Sequence, residues 1–264
     1  MTSPMRKRQA VHRAAWVGVG VGVAAATLAR RRPAAGLALA AAGAAGIAAA
    51  FRPGSRALGR AVVRGPRDGA RAAITFDDGP GPTTPAVLDA LAEEGVRATF
   101  FVLGRQAERH PEVVRRIVAE GHQLASHGYD HGILIFRGAA HVEDQLRRAE
   151  RAVEAAAGPR AMSRVFRAPH GFRGPATALG VRRAGYRMAA WTHGVFDTAE
   201  PGPAAIARRA SQALAPGAIL LLHDADGWAP ERPRQQTADA LPEICRSARA
   251  RGLELVTLDE LVGA

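Results

Sequence analysis

The chain has 264 residues, 47% of them hydrophobic and 23% charged, a net charge of +12 and a single cysteine. That length holds one large domain plus an appendage, and the lone Cys245 excludes both an internal disulfide and a cysteine-rich metal site. The positive charge is localised: residues 1–71 carry thirteen Arg or Lys against Asp68 alone, while residues 72–264 hold 23 of each sign. This argues against a nucleic-acid groove in the main body of the chain.

In chain order, a basic start (Arg6, Lys7, Arg8, Arg13) precedes an uncharged apolar run at 14–29. Arg30-Arg31-Arg32-Pro33 interrupts, and a second uncharged run follows at 34–51. Both runs are rich in Ala and Gly and fall short of the ~20 residues that span a bilayer. Three readings compete: a membrane hairpin of two short helices, a signal peptide, or an Ala-rich helical pair that packs on protein or is disordered. Attachment to an anionic membrane surface is the expectation, so residues 1–55 are assigned as a membrane-anchor or signal segment. Arginines flank both runs and give no orientation. Residues 56–70, broken by Gly59, Gly65-Pro66 and Gly69, read as a linker, and 71–264 as the main domain.

From residue 71 short apolar runs alternate with amphipathic helical patterns. Strands are expected at 72–76, 98–103, 122–126, 164–168, 186–191, 218–223 and 253–257. Helices are expected at 85–94 with Thr84 as N-cap, then at 111–120, 142–157, 175–184, 203–214 and 235–250. Strand and helix alternating about seven times predicts an α/β fold with parallel strands, a distorted (β/α) barrel smaller than the eight-unit form. Such barrels carry their chemistry at the C-terminal ends of the strands.

The polar residues of this chain follow the strand runs in that way. Asp77-Asp78-Gly79-Pro80 follows the first strand, and Ser126-His127-Gly128-Tyr129-Asp130-His131 the third. Arg167-Ala168-Pro169-His170-Gly171 follows the fourth, Trp191-Thr192-His193-Gly194-Val195-Phe196-Asp197-Thr198 the fifth, and His223-Asp224 the sixth. Adjacent carboxylates repel unless a cation or shared proton relieves them. His127 and His131, four residues apart, would aim both imidazoles the same way on one helical turn. Two His and one Asp with open positions suit a catalytic divalent ion, zinc first and cobalt or a similar ion after it.

These motifs, with Thr75-Phe76-Asp77-Asp78-Gly79-Pro80 and Ala98-Thr99-Phe100-Phe101-Val102-Leu103-Gly104, resemble the polysaccharide deacetylase family, with its NodB-homology or carbohydrate esterase 4 fold, over about residues 70–262. The resemblance implies that Asp78, His127 and His131 hold the metal and Asp77 is the general base. It makes Arg167 the residue that keeps Asp77 ionised, His223 the general acid, and the His170 backbone N–H part of the oxyanion site. The fifth-strand motif departs from the family pattern: Gly194 stands in the place of its first Asp and Thr198 in the place of its Trp, while Asp197 remains. Asp197 is the candidate to tune His223, and with His170, Trp191 and Trp228 completes the candidate substrate-facing set. Trp228 is a candidate for stacking on a sugar. The 133–136 run reads as barrel-top filling, a lid or a contact for an acyl or isoprenoid chain; His110 reads as a helix-entry residue, His122 and His141 as surface or capping groups, and His193 as within reach of the site but outside it.

The implied activity is metal-dependent removal of N-acetyl groups from GlcNAc-containing glycans, with release of acetate. The alternatives are deacylation of a membrane lipid-linked N-acyl sugar and non-catalytic glycan binding. The expected partners are a glycan and a membrane, with no nucleic acid, and the expected location is membrane-associated with the catalytic domain on the extracytoplasmic side.

Overall fold

The computed structural model describes Thr27, residues 32–51 and residues 61–263. Its first described helix, α1 (Pro33–Phe51), coincides with the second N-terminal apolar run. Among the described residues no helix is long and apolar enough to cross a membrane. The first run, apart from Thr27, lies outside the described residues.

The main domain is a curled, all-parallel sheet with helices on its outer face. Its strands are β1 (Ala61–Val62), β2 (Arg71–Asp77), β3 (Thr99–Val102), β4 (Gln123–Ser126), β5 (Met162–Phe166), β6 (Arg187–Ala189), β7 (His193–Gly194), β8 (Ile219–His223) and β9 (Glu254–Leu255). They run in the order β1-β6-β5-β4-β3-β2-β8-β7, and β9 pairs the start of β2. The helices are α2 (Thr84–Glu93), α3 (Gly104–Arg109), α4 (Pro111–Ala119), α5 (Ala139–Ala157), α6 (Pro175–Arg183), α7 (Pro203–Ala213), α8 (Gln235–Ala250) and α9 (Leu258–Val262). The sheet edges draw together at Thr192, whose hydroxyl donates to Val63 O (2.9 Å) and accepts from Ile219 N–H (3.0 Å).

All seven expected strands form, with two short additions at the sheet edges. β1 lies in the stretch read as linker: Ala61 and Val62 pair with Met188 and Ala189, and Gly65 N–H donates to Gly217 O. The sequence there is too short and too Gly-broken to show a strand, and β6 supplies its partner from more than a hundred residues away. The N-cap of α2 also differs. Thr83 holds the cap position, and the Thr84 hydroxyl instead accepts from Gly81 N–H and donates to Asp224 Oδ2.

The two-residue alternation of the strands decides what reaches the barrel interior. Ile74, Phe76, Phe100, Val102, Leu124, Phe166, Leu220 and Leu222 point outward to the helices. Ala73, Phe101, Ala125, Val165, Ala189 and Ile219 point inward, above a floor made by Leu258 and Leu261 of α9. Two residues further along five of the inward rows come the chemical groups: Asp77 beyond Thr75, His127 beyond Ala125, Arg167 beyond Val165, Trp191 beyond Ala189, and His223 beyond Leu221.

Candidate active site

A cavity of about 630 Å³ opens at this end of the sheet, bounded by Asp77, Asp78, His127, His131, His170, Trp191, His223 and Trp228 among others. Its size is that of a small-ligand site. Six non-glycine residues among those described have positive φ, and four of them line this cavity: Asp78 (79°), His131 (60°), His170 (60°) and Phe196 (56°). Left-handed backbone at non-glycine residues costs energy and gathers at functional sites.

Asp77 and His223 are register partners on the adjacent strands β2 and β8. Arg167, fully buried, donates from Nη1 to Asp77 Oδ1 (2.6 Å) and to the Thr75 hydroxyl (2.8 Å), and from Nη2 to Ala190 O (2.8 Å). Its guanidinium lies 3.9 Å over the Phe101 ring. Burial pulls its pKa below the ordinary arginine value, and the Asp77 carboxylate pushes it back up. The other Asp77 oxygen, Oδ2, lies 3.8 Å from His127 Nε2, so the carboxylate is gripped from behind and faces the His pair in front.

The donor atoms of Asp78, His127 and His131 lie within 4.8 Å of one another, and all three residues are buried. Asp78 Oδ1 is 3.0 Å from His131 Nε2 and 3.4 Å from His127 Nε2, and it is buried without a hydrogen bond. Ligand atoms about 2.0–2.1 Å from one tetrahedral ion lie about 3.3 Å apart. A carboxylate oxygen with no donor of its own, facing two ring nitrogens at that spacing, fits a divalent ion. Burial works to raise the Asp78 pKa, but His131 and His127 outweigh it and hold the carboxyl well below the usual range. The second Asp78 oxygen accepts from Gly227 N–H (3.0 Å).

The two histidines do not share a helical turn, as their spacing suggested. They sit in the loop between β4 and α5, where Gly128 at φ 84° and His131 at φ 60° bend the chain. Buried Gln145 of α5 fixes that bend, its Oε1 accepting from Tyr129 N–H (2.9 Å) and Asp130 N–H (3.2 Å).

His223 Nδ1 lies 2.9 Å from Asp197 Oδ1, and the His223 backbone N–H donates to Asp197 Oδ2 (2.7 Å). Thr237 of α8 donates to the same oxygen (3.0 Å). Burial lowers the His223 pKa, but Asp197 dominates and raises it to about 9. Asp197 is buried behind His223 and is not a wall of the cavity, which corrects its place in the substrate-facing set. The loss of an acid at Gly194 therefore leaves His223 with a carboxylate partner.

The remaining expected residues are brought together. Trp191 forms a wall against Gly171. Trp228 stacks on His170 (centroids 5.2 Å, 19°) and meets His131 edge-on (5.2 Å, 77°), so one indole face is already covered. In the 133–136 run, Leu134 is buried in the core and Phe136 is exposed. His193 is exposed on β7 outside the cavity; His122, expected as a surface or capping group, is buried and accepts from Ala98 N–H at Nδ1.

Sequence reading named Trp228 in the loop that follows β8 but missed what holds that loop. Asp226 Oδ1 accepts from Trp228 N–H (2.8 Å) and Ala229 N–H (2.9 Å), while Oδ2 accepts from buried Arg234 (2.7 Å). This latch fixes Gly227 against Asp78 and Trp228 over His170. The signal available was an Asp-Gly turn beside a catalytic-type His, with no sign of its partner.

The polysaccharide deacetylase family model matches residues 64–189. A chitooligosaccharide deacetylase of Bradyrhizobium sp. (strain ANU 289) is 39% identical over 195 residues, which cover 71% of this chain and 89% of that protein. This chain belongs to the polysaccharide deacetylase family. The peptidoglycan-N-acetylglucosamine deacetylase PgdA of Listeria monocytogenes serotype 1/2a (strain 10403S) is 33% identical over 194 residues, 73% of this chain and 39% of that longer protein. The crystal structure of the Bc1960 peptidoglycan N-acetylglucosamine deacetylase superposes with a TM-score of 0.71 at 28% identity, over 76% of this chain and 92% of that one. Membership makes this chain a deacetylase with the NodB-type curled barrel, and the Asp78–His127–His131 cluster meets the family's need for a divalent metal.

Proposed function

We propose that this deacetylase hydrolyses the N-acetyl groups of GlcNAc residues in a β-linked glycan, chitin-like or peptidoglycan, and releases acetate. The observation that carries this is the pairing of Asp77, gripped by buried Arg167, with His223, gripped by buried Asp197, beside the Asp78–His127–His131 cluster. Amide hydrolysis needs a base for water, a polarised carbonyl and a proton for the leaving amine.

Asp77 takes the proton of the attacking water as its oxygen bonds the acetyl carbon. Arg167 grips one Asp77 oxygen and leaves the other facing the cavity. With Nδ1 engaged by Asp197, His223 presents Nε2 to the cavity and delivers its proton to the sugar nitrogen as the C–N bond breaks. The His170 backbone N–H is assigned to the developing oxyanion. Asp78, His127 and His131 hold the metal, and their two-imidazole, one-carboxylate set suits zinc. When bound, that ion supplies Lewis-acid polarisation and lowers the pKa of the attacking water.

The basic N-terminal segment supports a second element of the reading, association with an anionic membrane, and the likeness to a peptidoglycan deacetylase supports a catalytic domain on the extracytoplasmic side where wall glycans lie. Fractionation of the full chain and of one with Arg30, Arg31 and Arg32 changed to Ser tests the first part, and a compartment-specific reporter fused after Ala264 the second. The chemistry is tested by acetate release from zinc-loaded protein on chitotetraose and on peptidoglycan, beside Asp77→Asn. Release by the parent and a loss of ~10² or more in the variant is expected. A folded, zinc-bound parent that releases no acetate from either glycan would overturn the substrate assignment, and a lipid-linked N-acyl sugar would be tried next.

A further inference from the structure

Phe196 carries two unfavourable features. Its backbone sits at φ 56°, ψ 38°, in the left-handed region, and its side chain is 71% exposed. The left-handed region is tolerated by Gly, Asn, Asp and His, and a bulky aromatic there is an outlier. The other three strained residues of the cavity are Asp78, His131 and His170, all of tolerated types. A bend at 196 serves to turn Asp197 inward onto His223, but Gly or Asn would make that bend at lower cost. The positioning of Asp197 thus explains the backbone at 196 and leaves the phenylalanine ring unexplained. The ring also gains little from burial, since most of it faces solvent.

What the ring has is its place. Phe196 lines the same cavity as Asp77, His127, His131 and His223, on the side formed by Gly194, Val195 and Thr198. Its high exposure puts it at the rim, whereas Trp191 is half-buried further in. Hexopyranose rings offer an apolar C–H face, and aromatic side chains in binding sites supply rigid apolar area at low entropic cost. Given the glycan-deacetylase reading above, on which this inference rests, the geometry points to Phe196 as a specificity-determining platform. It stacks on a sugar unit adjacent to the one being deacetylated. The enzyme therefore favours oligosaccharides over the monosaccharide, and the strain at 196 is retained for the sake of the ring.

The test uses the full chain, loaded with zinc, and the variants F196A, F196G and F196W. It reads kcat/KM on N-acetylglucosamine and on chitotetraose, the calorimetric Kd for chitotetraose, and Tm. The ratio of tetramer to monomer kcat/KM is expected to fall about three- to tenfold in F196A and F196G and to recover in F196W. F196G is expected to keep or raise Tm, because glycine adopts φ 56° without steric cost. An unchanged ratio, equal losses on both substrates, or a failure of F196W to restore the ratio overturns the inference. Should neither substrate be hydrolysed, the deacetylase reading fails on its own, and the calorimetric Kd then decides the inference: weakened in F196A upholds the platform, identical overturns it.

Discussion

Asp197 holds His223 by two bonds at once, one oxygen 2.9 Å from the ring Nδ1 and the other accepting the same residue's backbone N–H at 2.7 Å. The carboxylate thereby fixes both the ring's rotation and the tautomer that leaves Nε2 toward the cavity. It also raises the His223 pKa to about 9 in the metal-free protein. A histidine raised above its unfolded value of about 6.5 adds stability that is full below that pH and is lost as pH climbs through about 9. Asp197, held below its usual range despite burial, adds stability that is lost as pH falls through acid values. A bound divalent ion lowers the His223 value, because like charges disfavour protonation.

The expected outcome for Asp197→Asn follows from that pair. The His223 signal in metal-free protein, followed by proton NMR, moves down by about two units or more, and the alkaline limb of kcat moves down with it. A limb that stays in place while the rate falls would assign Asp197 to packing instead of to the proton balance of His223.

Arg167 is the largest fully buried side chain in the domain, and its two terminal nitrogens donate to three acceptors: Asp77, Thr75 and Ala190. Arg167→Ala leaves the Asp77 carboxylate buried with its charge partner gone, a change that typically costs about 3–5 kcal/mol. Denaturant melts should show that loss together with a fall in kcat of ~10² or more. Arg167→Lys supplies one charge from a single nitrogen and cannot bond all three acceptors in their present positions, so kcat is expected to remain depressed even where stability recovers in part.

Much of this site was legible from residue types alone. Five of the seven expected strand runs end in polar residues of chemical use, and the period-2 pattern, once the strands are placed, sends Asp77, His127, Arg167 and His223 to one interior. Features that depend on distant segments were not legible. Gly227 and Asp78 are 149 residues apart, and the strand at Ala61 exists only because β6 receives it. Backbone strain at Phe196 and the bend at His131 are φ values that no spacing rule shows. The place of Asp197 behind His223 was suggested by its survival in a motif that had lost its other acid, although its withdrawal from the cavity wall was not.

The Asp78–His127–His131 cluster predicts a simple metal dependence. Chelation should abolish acetate release and zinc should restore it. Asp78→Asn removes the charged oxygen that faces both imidazoles and should eliminate stoichiometric zinc by elemental analysis. Tm of the parent should rise with zinc concentration, since an ion that binds only the folded chain stabilises it by mass action, and the variant's Tm should be insensitive. A variant that keeps stoichiometric zinc would move the site elsewhere.

Gly227 offers the sharpest separation of metal binding from folding. Its N–H donates to Asp78 Oδ2, and a Cβ added at this position would lie 2.6 Å from His131 Cγ. Its φ is outside the left-handed region, so the penalty that region puts on alanine does not arise. Gly227→Ala must therefore displace either the His131 ring or the loop that supplies the N–H to Asp78. Groups that orient metal ligands typically carry ~10–100-fold in metal affinity. A zinc Kd weakened by that factor, with the circular dichroism spectrum and the metal-free Tm retained, is the expected result. The effect should be partly recovered by raising zinc, which distinguishes it from damage to Asp77 or His223. Zinc affinity equal to the parent's would mean that the loop yields freely and that the Asp226–Arg234 latch does not hold it against the site.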